Sequence, residues 1–150
     1  CPLIDSSLVD ELIEKLLSDK LDYCSNTLTD DFPDGQDIEV FTFEALEKAW
    51  LEAKLKSDRE HVTPYIKRNS DFRGGSLFKA ADLKCFKNMN SIRMTVDEPP
   101  DLDVIRLLVK DLGEDASWID YAQFIENNTD LIINKGILRN AGYIKSLNND

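Results

Sequence analysis

Apolar residues along the chain recur either every three to four positions or every second one, and the two periods mark out its elements. Leu8, Leu12 and Leu16, with Val9 and Ile13 beside them, predict an amphipathic helix that Asp5, Ser6 or Ser7 can cap. Residues 21–27 read as a short strand. Asp30, Asp31, Pro33, Asp34 and Gly35 signal a loop, and strand character resumes at residues 37–41. Thr42 then caps a helix with Phe43, Leu46, Trp50 and Ala53 on one face and Glu44 and Lys48 as an exposed i,i+4 pair. Ser57 and Glu60 have capping-box spacing and predict another helix, kinked by Pro64 inside it. Residues 70–90 show no sustained period, so irregular structure is expected there, with a strand near Leu77 and Phe78.

In residues 91–100 the period changes from two to that of a helix. Ile92, Met94 and Val96 alternate with polar neighbours as in a strand, and Pro99 suits the first position of a helix, with Glu98 as its cap and Asp101 in its first turn. Leu102, Ile105, Val109 and Leu112 continue that helix to Gly113. Ser117 caps a further helix bearing Trp118, Tyr121 and Ile125 on one face. The asparagine-rich tail, with Ile132, Ile133, Ile137, Leu138 and Tyr143, is expected to form one or two short helices packed on the body or on a partner. With no internal repeat and no linker, residues 1–150 read as one α/β domain in which 114–150 form a helical tail.

Asp97 stands just before the Glu98 cap, at the carboxyl end of the predicted strand, where open α/β sheets collect their ligands. This makes it the leading candidate for a metal ligand. By spacing alone, such an aspartate is more often a structural cap or a solvated charge.

Composition narrows the function classes. The chain is 42% hydrophobic and 31% charged, enough to bury a core at 150 residues. Its 29 acidic and 18 basic residues give a net charge of -11, which argues against a broad nucleic-acid-binding surface and against anchoring on anionic lipid. A phosphate-bearing ligand must therefore meet a local basic group or a metal. Cys1, Cys24 and Cys85 lack metal-site spacing and suggest no disulfide framework, so a reduced cytoplasm is the expected location. No signal peptide and no apolar run of the roughly 20 residues needed to span a bilayer is visible. The start at Cys1-Pro2-Leu3, without methionine, reads as a fragment or a processed product.

Three clusters could carry chemistry: Asp34, Asp37 and Glu39; Arg59, Glu60 and His61; and Asp97. Magnesium takes hard oxygen ligands, usually one or two carboxylates completed by substrate phosphates and water. Each cluster also has a plainer reading. Asp34 and Gly35 suit a turn, Asp37 and Glu39 a polar strand face, Glu60 a capping box and His61 a helix surface. There is no G-x-x-x-x-G-K-[ST], no G-x-G-x-x-G and no nucleophile elbow, and Gly74-Gly75 lacks the strand-and-helix setting of a phosphate cradle. These residues alone offer no recognisable way to hold a nucleotide.

Several ordered blocks nevertheless match a known pattern: Cys1-Pro2-Leu3-Ile4-Asp5, Phe32 to Phe41, Phe43 to Trp50, Arg59 to Ile66, Thr95-Val96-Asp97-Glu98-Pro99, and Asn140 to Leu147 in the tail. Together they resemble the spore coat polysaccharide biosynthesis protein F family. Its members are cytidylyltransferase-like and similar to the synthetases of CMP-activated 3-deoxy-octulosonate and sialic acids. The resemblance implies an α/β nucleotide-diphospho-sugar transferase domain, Rossmann-like and of GT-A type. Its N-terminal half, with the nucleotide-binding loop, would be absent here. It further implies that a metal-binding aspartate precedes the first block and that Asp97 matches the second, with Mg2+ as cofactor. By the same resemblance Asp34, Asp37, Glu39, Arg59 and Glu60 contact a sugar, while Arg59 and His61 act at the reacting centre.

The function this resemblance implies is that of the sugar-facing part of an enzyme that activates a sugar with CTP for surface or spore coat polysaccharide, with pyrophosphate as the other product. A non-catalytic binding module, inactive alone or forming a homodimer through the C-terminal helices, is the reading from a different class. A stand-alone glycan-binding protein fits less well, because clustered aromatics are lacking. The sequence departs from the family at Gln36, Met94, Pro100 and Ala141, and the first two leave the choice of substrate open.

Overall fold

The computed structural model describes residues 1–139 together with Ile144 and Leu147. Helix α1 (Ser6–Ser18) starts where its pattern predicts: Asp5 caps it by accepting from the Ser7 N–H, and Leu8, Leu12 and Leu16 are buried. Leu12 is wholly buried, a gain of about 1.5–3 kcal/mol over leaving it in water. A three-stranded mixed sheet comes next, in the order β2-β1-β3. Strand β1 (Tyr23–Ser25) pairs antiparallel with β2 (Glu39–Phe41), Cys24 facing Val40, and parallel with β3 (Ala80–Asp82), Cys24 facing Ala81.

Successive strand residues point to opposite faces. Cys24 accordingly joins a large core with α1, Phe32, Ile38, Met94, Leu108 and Tyr121, while Tyr23 joins a smaller one with Leu28, Ala45, Ala49, Ile66 and Phe78. Helices α2 (Phe43–Glu52) and α4 (Pro64–Arg68) cover the small core, and α3 (Lys56–His61) packs against α4; α5 (Pro99–Leu112) and α6 (Trp118–Asn127) close the large one.

Several expectations need correcting. Residues 91–96 do not form a strand: the backbone pairs only through a parallel bridge between Asp34 and Arg93. Ile92, Arg93, Met94 and Thr95 are buried in succession, so the apparent alternation does not describe two faces. Helix α2 is capped by Thr42 as predicted but turns Ala45 and Ala49 inward, leaving Phe43 72% and Trp50 65% exposed. Small side chains let the helix lie close to its neighbours, and α4 packs against it. Ser57 is not a cap; α3 begins after Leu55. Pro64 opens a new helix rather than kinking one, since a residue without an N–H fits a first turn. Val62, at φ 68, turns the chain between the two helices. The third strand lies at Ala80–Asp82, and Phe78 makes only a bridge to Ser70.

Helix α5 does begin at Pro99 after Glu98, although its buried row is Asp101, Val104, Ile105 and Leu108, with Leu102 exposed. In α6, Trp118, Tyr121 and Ile125 are buried as expected. Beyond it a 3-10 turn (Thr129–Leu131) leads to buried Ile132 and Asn134. The remaining helical tail, and with it the expected dimer contact, lies almost entirely outside the described residues. No helix among the described residues is long and apolar enough to cross a membrane.

Candidate functional site

A cleft of about 720 Å³ opens beside the ends of β1 and β2 and against α3 and α4. Next to it, Asn26 is buried and bonds backbone on both sides of Asp37: its Nδ2 donates to the Gln36 carbonyl (2.6 Å) and its Oδ1 accepts from the Ile38 N–H (2.8 Å). Asp37 and Glu39 are thereby aimed into the cleft, where His61, Lys67, Arg73 and Arg139 also lie. Both Glu39 oxygens are engaged: Tyr23 Oη donates to one at 2.7 Å and Lys67 Nζ to the other at 3.0 Å. Burial, followed by the Glu39 charge, drives the Tyr23 phenol far above its ordinary pKa, so it remains a donor.

Arg139 bridges Asp37 and Asp30, the latter at 2.6 Å, and donates to the Phe32 carbonyl at 2.9 Å. Burial raises the Asp37 pKa, and the charge of Arg139 opposes that rise.

A second cluster gathers around Arg93. Its guanidinium donates to Asp101 from Nε (2.9 Å) and Nη2 (2.8 Å), to Asp34 from Nη1 (2.6 Å), and to Asp97 from Nη2 (3.1 Å). Asp101 also accepts from the backbone N–H groups of Asp97 and Glu98 and from Asn134. Burial pushes the Asp101 pKa up, but those bonds outweigh it and hold the carboxyl well below the usual range. Burial raises Asp34, against the positive charges of Arg139 and Arg93. Asp97 is the solvent-facing member, its side chain 66% exposed.

The structure therefore splits the predicted site. Asp37, Glu39 and His61 share the cleft, whereas Asp34 and Asp97 belong to the Arg93 cluster. Arg59 lies elsewhere. Its guanidinium stacks 4.2 Å over Trp50 and donates to the Trp50 (2.8 Å) and Ala53 (3.3 Å) carbonyls at the end of α2. Residues two apart on a helix face opposite sides, so Arg59 and His61 cannot serve one cleft. Glu60 is exposed and outside the cleft lining. Sequence reasoning missed Lys67, Arg73, Arg93 and Arg139. Arg93 and Asp97 had an i,i+4 charge pairing as a signal; Arg139 had none.

Gln36 and Met94 are both buried and lie against each other rather than in the cleft (Gln36 Nε2 to Met94 Sδ, 3.4 Å). The Gln36 amide clamps the first segment, donating to the Leu3 carbonyl (2.7 Å) and accepting from the Asp5 N–H (3.1 Å). Gln36→Leu leaves both groups without that partner, and a loss of about 1–3 kcal/mol is expected in urea unfolding. Unchanged stability would show that the clamp is not holding the segment.

Among the described residues no group of three or more His, Cys, Asp or Glu side chains could hold a metal ion. Asp97 does fit one position in the shell of a hydrated magnesium ion, as a hard oxygen donor on an exposed turn.

No protein-family model matches the chain. An uncharacterized protein of Methanocaldococcus jannaschii is 39% identical over 127 residues, which are 83% of this chain and 48% of that protein. The chain thus spans about half the length of this curated relative. Among solved structures, a cytidylyltransferase from Leptospira borgpetersenii serovar Hardjo-bovis superposes with a TM-score of 0.81 at 28% identity, over 93% of this chain and 58% of that one. The chain is similar to that cytidylyltransferase in its mixed α/β fold.

Proposed function

We propose that these residues form the sugar-facing part of a nucleotidyltransferase that activates a sugar with CTP, its product feeding polysaccharide synthesis as the block resemblance implies. The likeness of 93% of the chain to a cytidylyltransferase carries this reading. The cleft supports it, because Asp37, Glu39, His61 and Lys67 supply acceptors and donors suited to sugar hydroxyls. In the reaction a sugar hydroxyl oxygen bonds to the α-phosphorus, the bond from that phosphorus to the bridging oxygen breaks, and pyrophosphate leaves as the hydroxyl gives up its proton. Magnesium, when bound, would offset phosphate charge, with Asp97 as one of its ligands. Arg59, held against Trp50, has no part in this scheme.

In protein that also carries a nucleotide-binding half, Asp97→Asn is expected to lower magnesium-dependent CMP-sugar formation by about 100-fold, measured as pyrophosphate release. Unchanged turnover removes the metal role. These residues are read as part of a site, because they carry no recognisable nucleotide-binding loop. Calorimetric titration of the chain with CTP and magnesium tests this directly: no micromolar binding is expected, and clear micromolar binding overturns the partial-site reading.

A further inference from the structure

The cleft's cationic side chains are not equivalent. Lys67 lies 3.0 Å from Glu39, Arg68 2.7 Å from Asp58, and Arg139 2.6 Å from Asp30. Arg73 has no carboxylate partner among the described residues. Its Nη2 donates to the Leu28 carbonyl at 2.7 Å and its guanidinium lies 5.5 Å from the centre of the Phe72 ring. One anchored donor leaves most of a five-donor fork available in the cleft.

The turn that presents Arg73 is itself tightly built. The 3-10 segment Asp71–Arg73 runs into Gly74 at φ 82, and the Gly75 N–H returns to the Ser70 carbonyl at 2.8 Å. A Cβ at Gly75 would lie 2.4 Å from the Asn69 carbonyl oxygen, so only glycine allows this fold-back. Asp71 ties the turn to β3 through the Ala80 N–H at 2.8 Å. The double glycine thus positions an arginine rather than cradling a phosphate.

We propose that Arg73 is a specificity-determining residue that reads an oxyanion, carboxylate or phosphate, on the molecule entering the cleft. This rests on reading the cleft as the sugar side. A chain of net charge -11 does not gather anions by its overall field, so selection must come from a local fork of this kind.

The test is an amide NMR titration of the whole chain and of its Arg73→Gln and Arg73→Lys variants with glucose, glucuronate and glucose 6-phosphate. At least one anionic sugar is expected to bind about 10-fold more tightly than glucose, shifting the amides of Leu28 and of residues 70–75. Arg73→Gln should erase that preference and Arg73→Lys keep part of it. Tighter glucuronate binding assigns a carboxylate, and tighter glucose 6-phosphate binding a phosphate. Equal binding of glucose, a preference that survives Arg73→Gln, or binding of none of the three overturns the inference. Pyrophosphate release tests the transfer reaction separately, so the two readings can fail independently. Arg73 is exposed, and an unchanged amide spectrum confirms the fold of each variant.

Discussion

Asp101→Asn is expected to destabilise the protein by about 3–5 kcal/mol, the usual loss when one partner of a buried ion pair is removed. Asp101 is wholly buried and accepts from Arg93, from Asn134 and from the backbone N–H groups of Asp97 and Glu98. An asparagine keeps one oxygen and replaces the other with an NH2 group. That group then opposes donors already pointing at it, and Arg93 loses its bidentate partner. Losing the helix-capping contribution alone would cost about 1 kcal/mol, so the size of the change identifies the ion pair as the cause. Urea unfolding should show a lower midpoint at constant slope, and a loss below about 1 kcal/mol would mean that the pair does not hold the fold.

The same group leaves a signature in pH. Folding lowers the Asp101 pKa, so its contribution is fully present above the unfolded value near ~4 and disappears as pH falls through the folded value. Asp34 and Asp37 run the other way. Burial raises both, the folded state holds their protons more tightly, and their contribution declines as pH rises through the window above ~4. In Asp101→Asn the acid-side loss should shrink while the Asp34 and Asp37 contribution remains, which stability measured between about pH 2 and 6 would reveal.

Gly35→Ala is expected to cost about 3 kcal/mol or more, combining backbone strain with overpacking of about 1–3 kcal/mol each. Gly35 sits at φ 105, and a Cβ there would fall 2.6 Å from the Met94 carbonyl carbon and 2.7 Å from its oxygen and from the Thr95 nitrogen. Those are backbone atoms, without the freedom of a side-chain tip. The loop could relieve the clash only by opening the bridge in which the Asp34 N–H donates to the Ile92 carbonyl (2.9 Å) and the Met94 N–H to the Asp34 carbonyl (2.7 Å). Asp34 and Asp37 would move with it, so the substitution should also weaken the sugar binding proposed for the cleft. Near-native stability would show that residues 34–36 can slide past residues 93–95 without cost.

Local chemistry was readable where it acts within one turn. The caps Asp5, Thr42, Glu98 and Ser117, the Leu8, Leu12 and Leu16 stripe, and the proline that opens α5 all appear where their spacing places them. Errors arise where a neighbour decides. The α2 face turned because close packing favoured Ala45 and Ala49 over the larger Phe43 and Trp50, and the 92–96 alternation failed because residues 92–95 are covered on both sides while Val96 is exposed.

Asp97 shows the same division within the candidate site. Its place before the α5 cap is set by residues 97–101 alone, because a proline and two acidic side chains organise their own turn. Its partners are not set by that stretch. Arg93 pairs with Asp97 from four positions away, and a backbone bridge brings it to Asp34 as well, 59 positions away. In the cleft, Arg139 meets Asp37 across 102 positions. Helix starts and apolar stripes are fixed by contacts within a few residues, and the sequence by itself determined them. The gathering of charged groups depends on burial and on distant backbone approach, which only the tertiary structure decided.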